Sequence, residues 1–511
     1  MTDAGVEVLI VGGGPVGLTA RALLERWGVR TLLVERHREL SPFPRSRLVN
    51  VRSMEIFRQL GIADTIRGRA FGPEFGRVRF RETLGDADFG TEAMVGVHAP
   101  IPESPEIGVV TSQDRLEPTL LDAADTPMRF EVELVDLSEE SEGVAARLAD
   151  HGSGTESVVR ARYVLAADGA NSTVRQLLGI GTTGPGSVGD VATVVFDADL
   201  RRWSADQPAG VYFTARGTFT PLYPEGGWAW FGPIPHDPDI DYAALVTRAL
   251  GPAIDAHVEV LRVQHWVMNA FVAEHLRRGS AFLAGDAAHA VPILGGLGMN
   301  AGVADVHNLC WKLAGVLRGW AAPSLLGTYE TERLPVAHRT LRQAVANAER
   351  VRRAQLARRE ARELGYTTAR TEIELPWSER YFNQMGLVLG VAYESEAIRS
   401  DGSTAPPDSD AVYLPTGRPG GRMPHCPLGS GRSALDAIGE WFTLFGPDPV
   451  EWEKRTATTL PLRFEQLPQR YTDIYGIGPH GALLVRPDGH IAARWPDAPD
   501  DTVDLRGPLN L

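Results

Sequence analysis

The sequence predicts an α/β protein in which a parallel strand–helix layer is interrupted by an antiparallel sheet and followed by a small third module. Three observations carry this. Residues 6–35 read as strand, glycine turn, helix and strand; residues 180–272 alternate apolar and polar positions between turns; and the run DGSTAPPDSD at 401–410 has the composition of a linker.

In the first unit, VEVLIVGGGPVGLTARALLERWGVRTLLVE, Gly12 supplies a tight turn, Gly14 lets backbone approach a pyrophosphate, and Gly17 lets the helix pack on the strand. The helix N-terminus then faces the phosphates. Glu35 ends the second strand where a ribose 2′-hydroxyl needs an acceptor, and a carboxylate there favours FAD or NAD over NADP. Arg21 and Glu25 lie four apart on the Gly17 face, where a buried stripe belongs; either they pair with each other or Arg21 reaches the ligand.

Next come a proline-opened loop, HRELSPFPRSR, and a helix, NVRSMEIFRQLGI. Glycine-rich, alternating residues fill 72–107, and a helix starts near Ser112. Two strands flank a turn at 141–143, and VRARYVLAADG closes the first large unit. The block 180–272 carries Tyr212, Phe213, Phe219, Tyr223, Trp228, Trp230 and Phe231. Aromatics on a half-buried sheet are core by default, yet they also make a wall for a flat ligand. An amphipathic helix is expected at 299–319, a solvated and ion-paired one at 339–364, and a hairpin turning at 487–489 in the last hundred residues.

Composition narrows the function classes. With 511 residues, 43% of them hydrophobic, the chain can bury a large core. Its 51 basic and 65 acidic residues give a net charge of −14, which argues against nucleic acid or an anionic membrane and for small-molecule partners. Cys310 and Cys426 stand alone, with no metal-ligand spacing, so a reducing cytoplasm is expected. No apolar run is long enough for a membrane span.

Two further glycine motifs follow. YVLAADGANSTVR (163–175) ends a strand at Asp168 and Gly169 before a helix; its simpler reading is a capped turn. AFLAGDAAHAVPILGGLGMNAGVADVHNLCWKLA (281–314) places Asp286 at a strand end, where it can bond ribityl hydroxyls, ahead of a proline–glycine loop and a helix. The positive end of that helix would stabilise negative charge on a flavin ring.

In this order the three motifs, across residues 5–345, resemble the single-component, class A FAD aromatic hydroxylases of the p-hydroxybenzoate hydroxylase type. RPGGRMPHCPL and LVRPDGHIAARW are similar to the C-terminal thioredoxin-like domain of the polyketide and phenol hydroxylase branch, here without CxxC. The resemblance implies a Rossmann-like FAD-binding domain (1–72, 108–179, 279–400), an inserted antiparallel β-sheet substrate domain (73–107, 180–278) and a thioredoxin-like domain (401–511). It assigns FAD contacts to Gly12, Gly14, Pro15, Val16, Gly17, Glu35, Arg36, Arg45, Gln113, Asp168, Gly169, Asp286, Pro292, Gly295, Gly298, Met299 and Asn300. Pro292, His289 and Arg45 are candidates for direct chemistry, with His289 equally readable as structural. Substrate contacts fall to Tyr212, Tyr223, Trp228, Phe231, Pro292 and Gly295; His98, His265, Tyr212 and Tyr223 are candidate partners for a phenol.

The activity implied is NAD(P)H- and O2-dependent hydroxylation of an aromatic, phenolic natural product through a C4a-hydroperoxyflavin, with NADH or NADPH as co-substrate; a homodimer is one assembly left open. A Baeyer–Villiger reaction on a polycyclic ketone, a flavin oxidase and a non-catalytic flavin-binding module are the alternatives.

Overall fold

The computed structural model describes residues 5–235, 237, 239–363, 384–407, 409–498 and 503–505. At its centre the strand Val6–Val11 pairs in parallel with Thr31–Val34 on one side and Thr155–Ala166 on the other, and Ala281–Leu283 continues the parallel run. Val8, Leu9 and Ile10 are fully buried, as the near-continuous apolar strand demands of a parallel sheet covered by helices. The register aligns Val11 with Val34 and Ala166, and Ala166 with Leu283, so the glycine turns that follow these strands leave from one edge. Helices Pro15–Arg26 and Gly298–Leu317 pack on one another beside this sheet.

The second sheet runs His289–Ala290, Glu259–Ala273, Thr182–Asp197, Gly226–Pro233, Gly217–Tyr223, Val211–Thr214, Arg77–Arg81 and Gly90–Ala93. It is antiparallel except where Val211–Thr214 pairs in parallel with Arg77–Arg81. Its two faces are sharply different. Ala192, Val194, Phe196, Tyr212, Phe219, Trp228 and Trp230 form a core with helix Tyr242–Leu250, an element the alternation pattern does not announce.

This corrects two assignments: Tyr212 and Trp228 are buried against that helix, and Tyr212 donates its hydroxyl to the Gln207 carbonyl at 2.9 Å. Both are core residues because the strand register turns them away from the nucleotide layer, as it does His265, which bonds Tyr242. Thr193, Phe213, Thr220 and Phe231 occupy the opposite face.

Helix Thr328–Glu363 starts earlier than its charge pattern indicates and passes through Pro335; Leu364 lies outside the described residues. Arg352 and Arg353 pair with Glu349, as expected of a solvated face. The last part of the chain forms a four-stranded sheet in the order Leu462–Gln466, Phe442–Gly446, Ala482–Val485, Ile491–Trp495. It docks through Phe442 on Trp311 and Trp320. The hairpin turn is buried too: Arg486 pairs with Glu332, beside Lys312. Among the described residues no helix is long and apolar enough to cross a membrane, and no His/Cys/Asp/Glu group could hold a metal ion.

Candidate active site

The three glycine motifs interlock. Gly12 has φ +108°, and a Cβ there would lie 2.3 Å from the Ala167 carbonyl oxygen, so the first turn touches the second backbone to backbone. A Cβ on Gly17 would stand 1.9 Å from the Gly12 oxygen. Gly285, in the third motif, packs on Val16, and Gly302 packs on Gly285. One cleft therefore receives residues from all three.

Its charge is arranged for a polar dinucleotide. The Gly13 N–H donates to Glu35 at 2.7 Å, which holds that carboxylate beside the first turn. Helices Pro15–Arg26 and Gly298–Leu317 both begin without a side-chain cap and without an acid in the first turn, so their orphan N–H groups and positive ends remain available to an electronegative ligand. Asp286 opens into the cleft close to Gly298. The crowding of protein around its carboxyl raises it above the usual range, although His289 and Arg45 pull the other way. Arg45 is exposed there, with Glu117 also in its field.

Several candidates turn out to hold the cleft together. Gln113 donates to Glu117 at 2.7 Å and accepts the Ser46 N–H, tying down the loop that carries Arg45. Asp168 accepts from the Ser172 hydroxyl and the Val174 N–H, so it caps the helix Thr173–Leu177. Asn300 spends its side chain on Asn50, Ser53, Leu48 and Gly296, fastening the helix start to the strand Leu48–Val49. Met299 packs on the main core. Gly295 has φ +100° and leaves no room for a side chain beside Asn347, which bonds the Leu294 carbonyl from behind; Pro292 is buried in the same loop.

His289 is fully buried, 2.7 Å from Asp305, whose other oxygen takes Arg333 at 2.8 Å. That geometry makes its Nε2 part of a buried ion network; its Nδ1 is buried and has no hydrogen-bond partner among the described residues. His98 likewise accepts the Val110 N–H at 3.0 Å. Sequence reasoning missed Asp305 and Arg333, which look like ordinary helix residues, and Arg47, masked by its neighbour Arg45 in PRSR.

Uncapped helix starts, Asp286, Arg45 and glycines that admit backbone contact fit the pyrophosphate, ribityl chain and ring of FAD. The fold and cleft thus define a dinucleotide-binding flavoprotein. A family model described as an FAD binding domain matches residues 5–344, and the chain belongs to that family.

Over its whole length the chain is 34% identical to the tetracenomycin A2 monooxygenase-dioxygenase of Streptomyces glaucescens, covering 97% of it, and 98% of the chain is 34% identical to 96% of the 4-methyl-5-nitrocatechol 5-monooxygenase of a Burkholderia species. It superposes on the flavin-dependent monooxygenase PieE, solved with FAD and substrate, with a TM-score of 0.87 and 32% identity over 97% of each chain. The protein is an FAD-dependent aromatic monooxygenase of the class A type.

Proposed function

We propose that the protein hydroxylates a phenolic ring of a polycyclic, polyketide-type natural product, with NADPH or NADH as reductant and O2 as the oxygen source. The observation that carries this reading is the two-faced antiparallel sheet. One face is sealed by helix Tyr242–Leu250, while the other, with Phe213, Thr193 and Phe231, turns to the nucleotide layer, where Arg262 reaches the Pro42 carbonyl at 2.8 Å. Relatives named for tetracenomycin and aklavinone support the substrate class.

FAD supplies the electron transfer and oxygen activation. The chain holds it by the residues of the three turns: Gly12, Gly14, Gly17 and Glu35 at the ADP end, Arg45 and Asp286 at the pyrophosphate and ribityl chain, and the 292–300 loop with its helix start at the ring. Phe231, Tyr223 and Pro292 position the substrate and exclude water. Residues 73–107 and 180–278 act as the substrate domain. A thioredoxin-like C-terminal domain is supported by its strand order, in which the second strand pairs in parallel with the first, and the third and fourth return antiparallel. It serves folding or dimerisation, and the two buried, unpaired cysteines agree with a cytoplasmic setting.

The test is direct. Purified protein should be yellow and should consume NADPH or NADH faster when given a suitable phenol, yielding product with one added oxygen and an unchanged carbon skeleton. Ring expansion seen by NMR would mean a Baeyer–Villiger enzyme, and stoichiometric hydrogen peroxide without product an oxidase.

A further inference from the structure

Arg47 leaves the loop that carries Arg45 and enters the gap between the nucleotide layer and the antiparallel sheet. Its backbone is fixed there, the Arg47 carbonyl accepting the Thr111 N–H at 3.0 Å. Its guanidinium lies over the Phe71 ring, 5.5 Å from the centroid, in the field of Asp114 and Tyr223. All three guanidinium nitrogens are buried, and none has a hydrogen-bond partner among the described residues.

Arg47 is half-buried as a residue although its guanidinium is enclosed, and the fully buried arginines differ from it: Arg21 bonds the Ala124 and Thr126 carbonyls, Arg81 pairs with Asp88, Arg175 bonds the Ala287 carbonyl, Arg333 takes Asp305, Arg422 takes Glu55 and Arg486 takes Glu332. Asp114 does not serve Arg47, because one of its oxygens accepts the Tyr223 hydroxyl while the other, also buried, is unpaired. Thr220, on the sheet face that looks into this gap, leaves its buried hydroxyl unpaired as well. The gap is thus lined by unspent polar atoms around Arg47; Arg115, paired with Glu225, lies over the Tyr223 ring, 4.3 Å from the centroid, and Arg262 also acts on Tyr223.

Burying a cation with unused donors costs folding free energy. Burial draws Arg47 down to about 10, which still leaves it protonated at neutral pH. A residue kept at that cost serves something other than stability. Resting on the function proposed above, we propose that Arg47 receives the ionised oxygen of the substrate's aromatic ring, so that the enzyme selects a phenolate over the neutral phenol. The phenol's proton leaves to solvent on binding. An ionised ring oxygen pushes electron density onto the ortho and para carbons, the positions an electrophilic oxygen attacks, so the group that chooses the anion also chooses the reactive form. Tyr223 and Asp114, joined to each other, fix the width of the gap beside it.

The experiment uses the FAD-loaded enzyme, titrated with 4-nitrophenol and 1,8-dihydroxyanthraquinone and with their methyl ethers, and reads visible spectra between about pH 5 and 9. Wild type should bind the phenols as their coloured anions at least about one pH unit below their ionisation in water, and about tenfold more tightly than the ethers. Arg47→Gln should lose both the spectral shift and the preference, Arg47→Lys should keep part of each, and FAD content and KM for NADPH and NADH should not change.

Ligand-free Arg47→Gln should also melt no lower than wild type, a result that an arginine retained for packing would not give. Equal ionisation by Arg47→Gln, ethers bound by wild type as tightly as phenols, binding of neither phenol, or a defect confined to KM for NADPH would each overturn the assignment. The broader function fails separately, if no phenol stimulates NAD(P)H oxidation by wild type.

Discussion

Arg21 and Glu25, one turn apart on the first helix, do not pair with each other. They grip opposite poles of one distant turn: Arg21 donates to the carbonyls of Leu121, Ala124 and Thr126 at 2.6–2.9 Å, and Glu25 accepts the N–H groups of Asp125 and Thr126. Both readings offered by the sequence are corrected, because the tertiary fold brings the C-terminal end of helix Gln113–Leu121 onto this face. Arg21→Ala should cost about 2–4 kcal/mol, since it strands several carbonyls in a buried site. It should also weaken FAD retention, because the same helix carries Gln113; thermal melts with and without FAD check this.

His289→Gln should lower the melting temperature while leaving turnover per bound FAD within about tenfold of wild type, because the ring is fully buried and held through Nε2 by Asp305, its Nδ1 having no hydrogen-bond partner among the described residues. A turnover loss of about a thousandfold at full FAD occupancy would instead restore a direct chemical role.

Acid stability depends on the same network. Burial opposes ionisation of Asp305, but His289 and Arg333 hold its carboxyl down to about 2 from 3.8. A depressed folded value means that its contribution is complete above about pH 4 and is lost as pH falls toward 2. Asp305→Asn should be less stable than wild type at neutral pH, and the difference should narrow across that window in denaturant titrations.

Glu117 works in the opposite sense. Burial pushes its carboxyl up from 4.5 to about 7, against the hydrogen bonds from Gln113 and Ser41. A raised folded value gives stability that is present below about 4.5 and lost as pH rises to about 7. Glu117→Gln should therefore gain about 1–2 kcal/mol at about pH 8, after allowing for the one acceptor oxygen it loses, and should flatten the profile between those values.

Cutting the chain near Ser400 should give an aggregating fragment rather than an active core. The cut removes Arg486 from Glu332, leaving that buried carboxylate to Lys312 and Asn308, and uncovers Trp311 and Trp320; breaking a buried ion network by removing one partner costs about 3–5 kcal/mol. Gel filtration of the truncated protein reads the outcome. Arg486→Met in the full chain should reproduce the stability loss.

By itself the sequence determined the elements whose signal is local: the strand–turn–helix units at Gly12, Asp168 and Asp286, the alternating sheet and the buried-core strands. There, glycine placement and apolar period report directly on backbone geometry and burial. What it could not determine is direction. Tyr212 and Phe231 look alike as aromatics on alternating strands, and only the register of neighbouring strands sends one under helix Tyr242–Leu250 and the other to the cleft.

Gln113, Asp168 and Asn300 were legible as residues of the site, but whether their polar atoms face a ligand or the protein was settled by their partners, distant ones for Gln113 and Asn300 and the adjoining helix start for Asp168. His289 and Arg47 show the same limit from both sides. Each is a single polar residue in a glycine- or arginine-rich stretch, and only the packed interior reveals that the first has found its counter-ion and the second has not. Hydrogen bonding and charge pairing are satisfied across space, and sequence spacing carries no record of which groups meet there.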